Sequence, residues 1–239
     1  MNGTRVIAVD GPAASGKSTV ARRLAERLGA LVLDTGLFYR ALAWLALQRG
    51  ISPDDGERLA ALVDAFHVVA EPLPGQRART ARVLVGGRDV TSELHLPVVD
   101  RIVSRVARQQ FVRTALLEPQ RRAVSGEWAV VAGRDVGTTV FPDAVVKVYL
   151  VASPEERARR RAEQRGQATP EQIARELADI LERDRTDARQ SVRAPDAVVV
   201  DTDGLSVEQV VDSIERLVRV RTGDSSTRGS AGGVRPPLA

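Results

Sequence analysis

Near the start of the chain an apolar run, residues 6–9, leads into Gly11-Pro12-Ala13-Ala14-Ser15-Gly16-Lys17-Ser18, and a helical stretch follows from Thr19 to about residue 28. This order of strand, glycine-rich turn and helix satisfies the pattern G-x-x-x-x-G-K-[ST], and no other feature limits the fold as much. Such a loop works only when a strand delivers it and a helix N-terminus backs it, so the chain must contain a βα unit of an open sheet. The glycines let backbone N–H groups turn inward around phosphate oxygens, and the helix N-terminus adds positive potential. Lys17 then bridges the outer phosphates and the Ser18 hydroxyl ligates Mg²⁺. Gly11 to Thr19 are therefore the candidate contacts to a nucleoside triphosphate, although the motif leaves open what is done with it.

Further strand-like runs at 31–33, 129–132, 145–151 and 197–200 alternate with stretches of helical period, which predicts an α/β fold with a parallel sheet covered by helices. Helix starts are marked by Ser153-Pro154-Glu155-Glu156, Thr169-Pro170-Glu171-Gln172 and Ser206-Val207-Glu208-Gln209, each an N-cap with Glu or Gln three residues on. From His67 to Val90 the pattern changes to short β-like runs broken by Pro-Gly and Gly-Gly, which predicts a small antiparallel insert emerging from the core. The stretch 222–239 is rich in Gly, Ser and Pro without periodicity and reads as a disordered tail. At 239 residues and 43% hydrophobic content the chain can bury one full core. It has no cysteine, which fits a reducing compartment, and no apolar run near the ~20 residues that span a bilayer, so a cytoplasmic protein is expected. Its net charge of +4 rests on arginine, because Lys17 and Lys147 are the only lysines.

Three activities are compatible with the loop. A GTPase would carry Asn-Lys-x-Asp on a late strand, and Lys147 sits instead inside "VVKVYLV". A motor or DNA-handling ATPase would end an apolar strand with an aspartate, a place Asp135 of "WAVVAGRD" could fill. A small phosphotransferase would need a second anion site facing the loop. Candidates for that site are Arg40, after Asp34-Thr35-Gly36 at the end of the second strand, and Arg134 with Asp135 after the third core strand. Late in the chain Arg183 and Asp187 share a helix face at i, i+4, a spacing that equally describes a solvated salt bridge.

Over about residues 5–220 the sequence resembles the bacterial cytidylate kinases. The motifs that carry the resemblance are "DGPAASGKST", "LDTGLFYRALA", the β-rich insert with "VSRVARQQFVRTAL" after it, "AGRDVGTTVFPDAVVKVYL", "ERDRTD" and "DAVVVDTDGLSVEQVV". The resemblance implies a P-loop NTPase-type parallel sheet flanked by helices, with core residues 1–65 and 104–221, an NMP-binding insert at 66–103 and a short lid at about 157–169. It implies transfer of the γ-phosphoryl of Mg-ATP to CMP or dCMP by a monomer, with no nucleic acid or membrane partner. A nucleoside monophosphate is already largely ionised near neutral pH, so no general base is needed, and the task is to align two polyanions and neutralise the transferring group.

In that frame Lys17, Arg134 and Arg40 are the catalytic cations, and Arg40, Arg134 and a late-helix arginine clamp the acceptor phosphate. Arg183 and Asp187 reach the sugar hydroxyls, while Ser104, Arg113 and Asp135 read the base beside Thr35. Cytosine offers an amino donor next to two acceptors, and a carboxylate beside an arginine suits it. Without the family pattern, Ser104 and Arg113 would read as the solvated face of an amphipathic helix. Arg157, Arg159, Arg160 and Arg161 fall where such kinases carry the lid, with Arg161 assigned to ATP. The sequence departs from the pattern at Gln190, where the family has arginine; Arg189 is expected to replace it in preference to Arg193.

Overall fold

In the computed structural model the described residues are 5–72, 75, 78–166, 168–187 and 191–223, the side chains of 186 and 187 excepted. The tail at 224–239, and with it Arg189 and Gln190, lies outside them. Strand β1 (Arg5–Asp10) is buried along almost its whole length, as an apolar run flanked on both faces must be. It pairs in parallel with β6 (Trp128–Gly133) on one side and β7 (Val146–Val151) on the other. β2 (Leu31–Asp34) lies parallel to β6, and β8 (Val198–Asp201) parallel to β7.

The β-rich stretch forms the antiparallel hairpin of β3 (Phe66–Pro72) and β4 (Arg79–Val85), with the short β5 (Arg88–Asp89) beside β4. This hairpin is continuous with the core sheet. β4 runs parallel to β2, with Leu31 opposite Arg79 and Val32 opposite Thr80, so the hairpin extends one sheet of order β3-β4-β2-β6-β1-β7-β8. The reason is the apolar edge that β2 would otherwise leave open, which an added strand satisfies through its backbone groups.

Helices cover both faces. α1 (Lys17–Leu28) and α8 (Val207–Thr222) pack on one face over Ile7, Val9, Val130 and Val148. α2 (Gly36–Arg49), α4 (Pro97–Ala107) and α5 (Gln110–Arg122) pack on the other over Ala8, Leu33 and Val131, with α3 (Gly56–Ala60) at the margin. α6 (Pro154–Gln164) and α7 (Pro170–Asp187) form a hairpin over the strand ends. The three expected caps form: Ser153 accepts from Glu156 N–H, Thr169 from Gln172 N–H, and Ser206 with Gln209 makes a full capping box. Among the described residues no helix is long and apolar enough to cross a membrane.

Candidate active site

The C-terminal ends of β1, β2 and β6 carry Asp10, Asp34 and the segment Gly133 to Asp135, and the glycine-rich loop rises between them. Gly11 has φ +151°, and a Cβ there would come within 2.4 Å of the Leu150 carbonyl oxygen, so the loop can start this close to β7 only with glycine. α1 begins at Lys17 with no side-chain cap and no acidic residue in its first turn, which leaves its N-terminal amides to face an anion. Lys17 Nζ donates to the Pro12 carbonyl at 2.5 Å. Burial, with the Arg134 cation nearby, pushes the Lys17 ammonium down to about 7. Added negative charge from phosphates would restore its proton.

A cleft of about 280 Å³ opens on the inner side of the loop. Its walls bring together Ala13, Ala14, Lys17 and Ser18 with Thr35, Arg40, Ser104, Arg113, Arg134, Asp135, Arg161 and Arg183. Residues from six helices and from the turns after β1, β2 and β6 thus meet at the C-terminal ends of the strands, which is where open α/β sheets bind ligands. Thr35, buried, donates to the Ala132 carbonyl at 3.1 Å. Arg40 reaches back to the insert, donating to the Leu94 carbonyl at 2.8 Å and to Asp100 at 2.7 Å. Arg113 is ion-paired with Asp135 and lies 5.9 Å from the centre of the Tyr39 ring. Arg134 approaches Ser191 Oγ at 3.5 Å, and the same loop residue accepts from the Tyr149 hydroxyl at 3.1 Å. Asp187 ends α7 and its side chain lies outside the described residues, as does Arg189; Arg193 is exposed and does not line the cleft.

The alternative of Asp135 as the strand-ending aspartate of a motor ATPase gains no support from the geometry, since its carboxylate faces Arg113. The serine's partner is Asp34: Ser18 Oγ donates to Asp34 Oδ2 at 2.7 Å, while Asp34 Oδ1 accepts from Gly36 N–H at 2.8 Å. Asp34 was missed as a site residue although it ends a strand six positions before Arg40, the signal that could have found it. Tyr39, whose hydroxyl is raised by burial and stays neutral, was missed as a wall of the cleft for the same reason.

The arginines of α6 divide by direction. Arg157 is 3% exposed, ion-paired with Asp184 at 2.7 Å and bonded to the Ala13 carbonyl at 3.1 Å, so it braces the loop rather than swinging over it. Arg159 points outward to Glu156 and Glu163. Arg160 donates to Thr202 Oγ1 at 2.9 Å and borders a second, more apolar cavity of about 410 Å³ on the outer side of the loop, with Ser15, Gly16, Thr19, Leu205 and Val207. Arg161 faces the inner cleft, 3.1 Å from Glu176; burial, then the Arg183 and Arg165 cations, lowers its pKa. Glu176 is 1% exposed and also pairs with Arg165.

The arrangement holds two cavities on either side of a phosphate-binding loop, with arginines ringing one of them. Comparison with known proteins agrees. The family model described as cytidylate kinase matches residues 7–220. The chain is 45% identical to the cytidylate kinase of Roseiflexus castenholzii over 94% of this chain and 98% of that one, and 49% identical to that of Thermus thermophilus over 86% and 94%. It is 44% identical to a bifunctional pantoate ligase/cytidylate kinase of a Synechococcus species over 92% of this chain and 46% of that protein, so it spans about half the length of such relatives. The chain belongs to the cytidylate kinase family.

Proposed function

We propose that the protein transfers the γ-phosphoryl of ATP to CMP or dCMP, giving ADP and the diphosphate. The observation that carries this reading is the single cleft that joins Lys17 and Ser18 of the loop to Arg40, Arg113, Arg134 and Asp135. The donor's phosphates lie along the loop from Gly11 to Thr19 and meet Lys17 and Arg161, and its base takes the outer cavity beside Arg160. The acceptor phosphate lies against Arg40 and Arg134 and its sugar against Arg183, while Asp187 and Arg189, whose side chains lie outside the described residues, are the candidates by family pattern for the second sugar contact and the remaining clamp residue. Arg113 and Asp135, already paired, present a donor and an acceptor to the cytosine edge, with Ser104 and Thr35 beside them.

Mg²⁺ suits this donor set. It prefers oxygen ligands, keeps several waters, and needs only one or two protein groups beside substrate phosphates. The Ser18 hydroxyl and the Asp34 carboxylate, 2.7 Å apart at the loop's mouth, are the groups that would hold it. When bound, it supplies charge neutralisation for the phosphates. The chain's own work is to align two polyanions in line and surround the transferring group with fixed cations, with no general base. The protein acts as a monomer, and its lack of cysteine supports a cytoplasmic setting. A coupled assay of ADP formation with ATP against CMP, dCMP, UMP and AMP tests the proposal. Preference for the cytidine nucleotides is expected; equal use of UMP would move the reading to a broader pyrimidine kinase, and no transfer to any of them would overturn it.

A further inference from the structure

We propose that Asp10 is a positioning residue that ties the donor loop to the acceptor-reading turn, so that one carboxylate sets both halves of the reaction in register. The proposal rests on the reading of Arg134 and Asp135 as acceptor contacts.

Asp10 closes β1, immediately before Gly11, and is 3% exposed. Its two oxygens are both engaged: Oδ1 accepts from Val136 N–H at 2.8 Å and Oδ2 from Gly137 N–H at 2.7 Å. These two amides open the π-helical turn Val136–Val140, which follows directly on Arg134 and Asp135. Wide turns of this kind are rare and concentrate at functional sites. The approach is close enough that a side chain at Gly137 would press on its neighbours. A Cβ at Gly137 would stand 3.3 Å from Asp10 Oδ2 and 3.2 Å from Lys147 Cδ. Gly11, on the other side of Asp10, is packed more tightly still, against Leu150. The start of the loop keeps its own packing of Gly11 on Leu150, so loss of the carboxylate's two bonds frees the acceptor turn from the loop's strand and leaves the loop in place.

The fold bears a cost for the arrangement. Burial, reinforced by the Asp135 carboxylate, raises the Asp10 carboxyl to about 6 even though two amides and Lys17 favour its charge. A neutral group would sit there more easily. Only an ionised carboxylate accepts from both amides through both oxygens at once, and charge-assisted bonds of this kind are short and directional. A group held charged against its stability preference beside a reacting centre is better explained by geometry it imposes than by folding. Misplacement by about 1 Å at such a centre can cost on the order of a hundredfold in rate.

The test is Asp10→Asn, which keeps the shape but turns one accepting oxygen into an N–H donor facing another donor. The KM for CMP is expected to rise about tenfold or more while the KM for ATP stays within about threefold. Amide exchange in residues 134–140 should quicken, and the thermal midpoint at neutral pH should barely fall. Gly137→Ala, which presses on the carboxylate from the other side, should give the same split between the two KM values. An unchanged KM for CMP in folded Asp10→Asn protein, or equal rises for both substrates, would overturn the proposal. If the wild-type protein moved no phosphate to CMP, the functional reading would fail instead. The exchange measurement would still decide on Asp10, because unchanged exchange in the variant would show that the carboxylate does not hold the turn.

Discussion

Arg113 and Asp135 face each other as a largely buried ion pair, flanked by the Tyr39 ring, and in the proposed function this pair reads the base. Removing one partner strands the other, at a cost of about 3 kcal/mol when the pair is buried. Asp135→Ala should therefore lower kcat/KM for CMP relative to UMP by about tenfold or more, since one good polar pair to a base edge carries roughly 1–3 kcal/mol. The KM for ATP should hold within about threefold; loss of Mg-ATP binding instead would make Asp135 a donor-site group. Asp10 gives a prediction of the opposite kind, on stability. Its folded pKa of about 6 lies above the ordinary carboxylate value of 3.8, so between these the folded state holds the proton more tightly. The cost is absent below about 4 and complete above about 6, and stability from this group falls as pH rises through that window, by about 3 kcal/mol. Asp135, Lys17 and Tyr149 all face this carboxylate. The measurement is the difference in unfolding free energy between wild type and Asp10→Asn from pH 4 to 7; a difference that does not change with pH would contradict it. Asp10 and Asp34 lie in the quoted motifs at strand ends, but the sequence assigned neither a role, because a strand-ending aspartate does not say which distant group it meets. Their roles come from partners 126 and 16 positions away.

At the scale of elements, local rules were readable and distant pairings were not. The caps at Ser153, Thr169 and Ser206 are satisfied within four residues of chain, so local spacing alone revealed them. The docking of β4 against β2 depends on Leu31 meeting Arg79, and nothing in the short β-like runs specifies which sheet edge they join. The basic turn of α6 shows the same division. Its arginines were legible as a cluster, but their directions follow from what α7 and the loop offer them. Glu176 on α7 is the central case: nearly fully buried, it accepts from Gln172 at 3.1 Å and holds Arg161 and Arg165. Glu176→Leu would leave these two arginines without their shared carboxylate. A loss of about 2–4 kcal/mol is expected, which for a chain of this size lowers the melting temperature by roughly 5–10 °C. Limited trypsin digestion should cut faster after Arg161 or Arg165. An unchanged melting temperature and digestion rate would mean that packing of α6 on α7, and not the carboxylate, holds the hairpin.

For the whole molecule, the decisive fact is that the glycine-rich loop separates an arginine-lined inner cleft from an apolar outer cavity, so one ligand can occupy both only by passing its phosphates along the loop. An adenosine and a cytidine joined 5′ to 5′ through a chain of phosphates would do this. Its second nucleoside binds at the effective concentration set by the first, provided the chain is long enough to span the loop. At a concentration about a hundred times its Kd, such a ligand stabilises the fold by about 2.7 kcal/mol, a rise of roughly 5–10 °C. At equal concentration the rise should exceed that with ATP and CMP added together. Chelating Mg²⁺ should shrink it, because the Ser18 and Asp34 pair would then lack the cation it is proposed to hold. Shortening the phosphate chain until it cannot reach both cavities should return the rise to that of ATP alone. A long-chain ligand that stabilises no more than ATP would show that the two cavities do not act as one site, and the assignment of the inner cleft to the acceptor would fall with it.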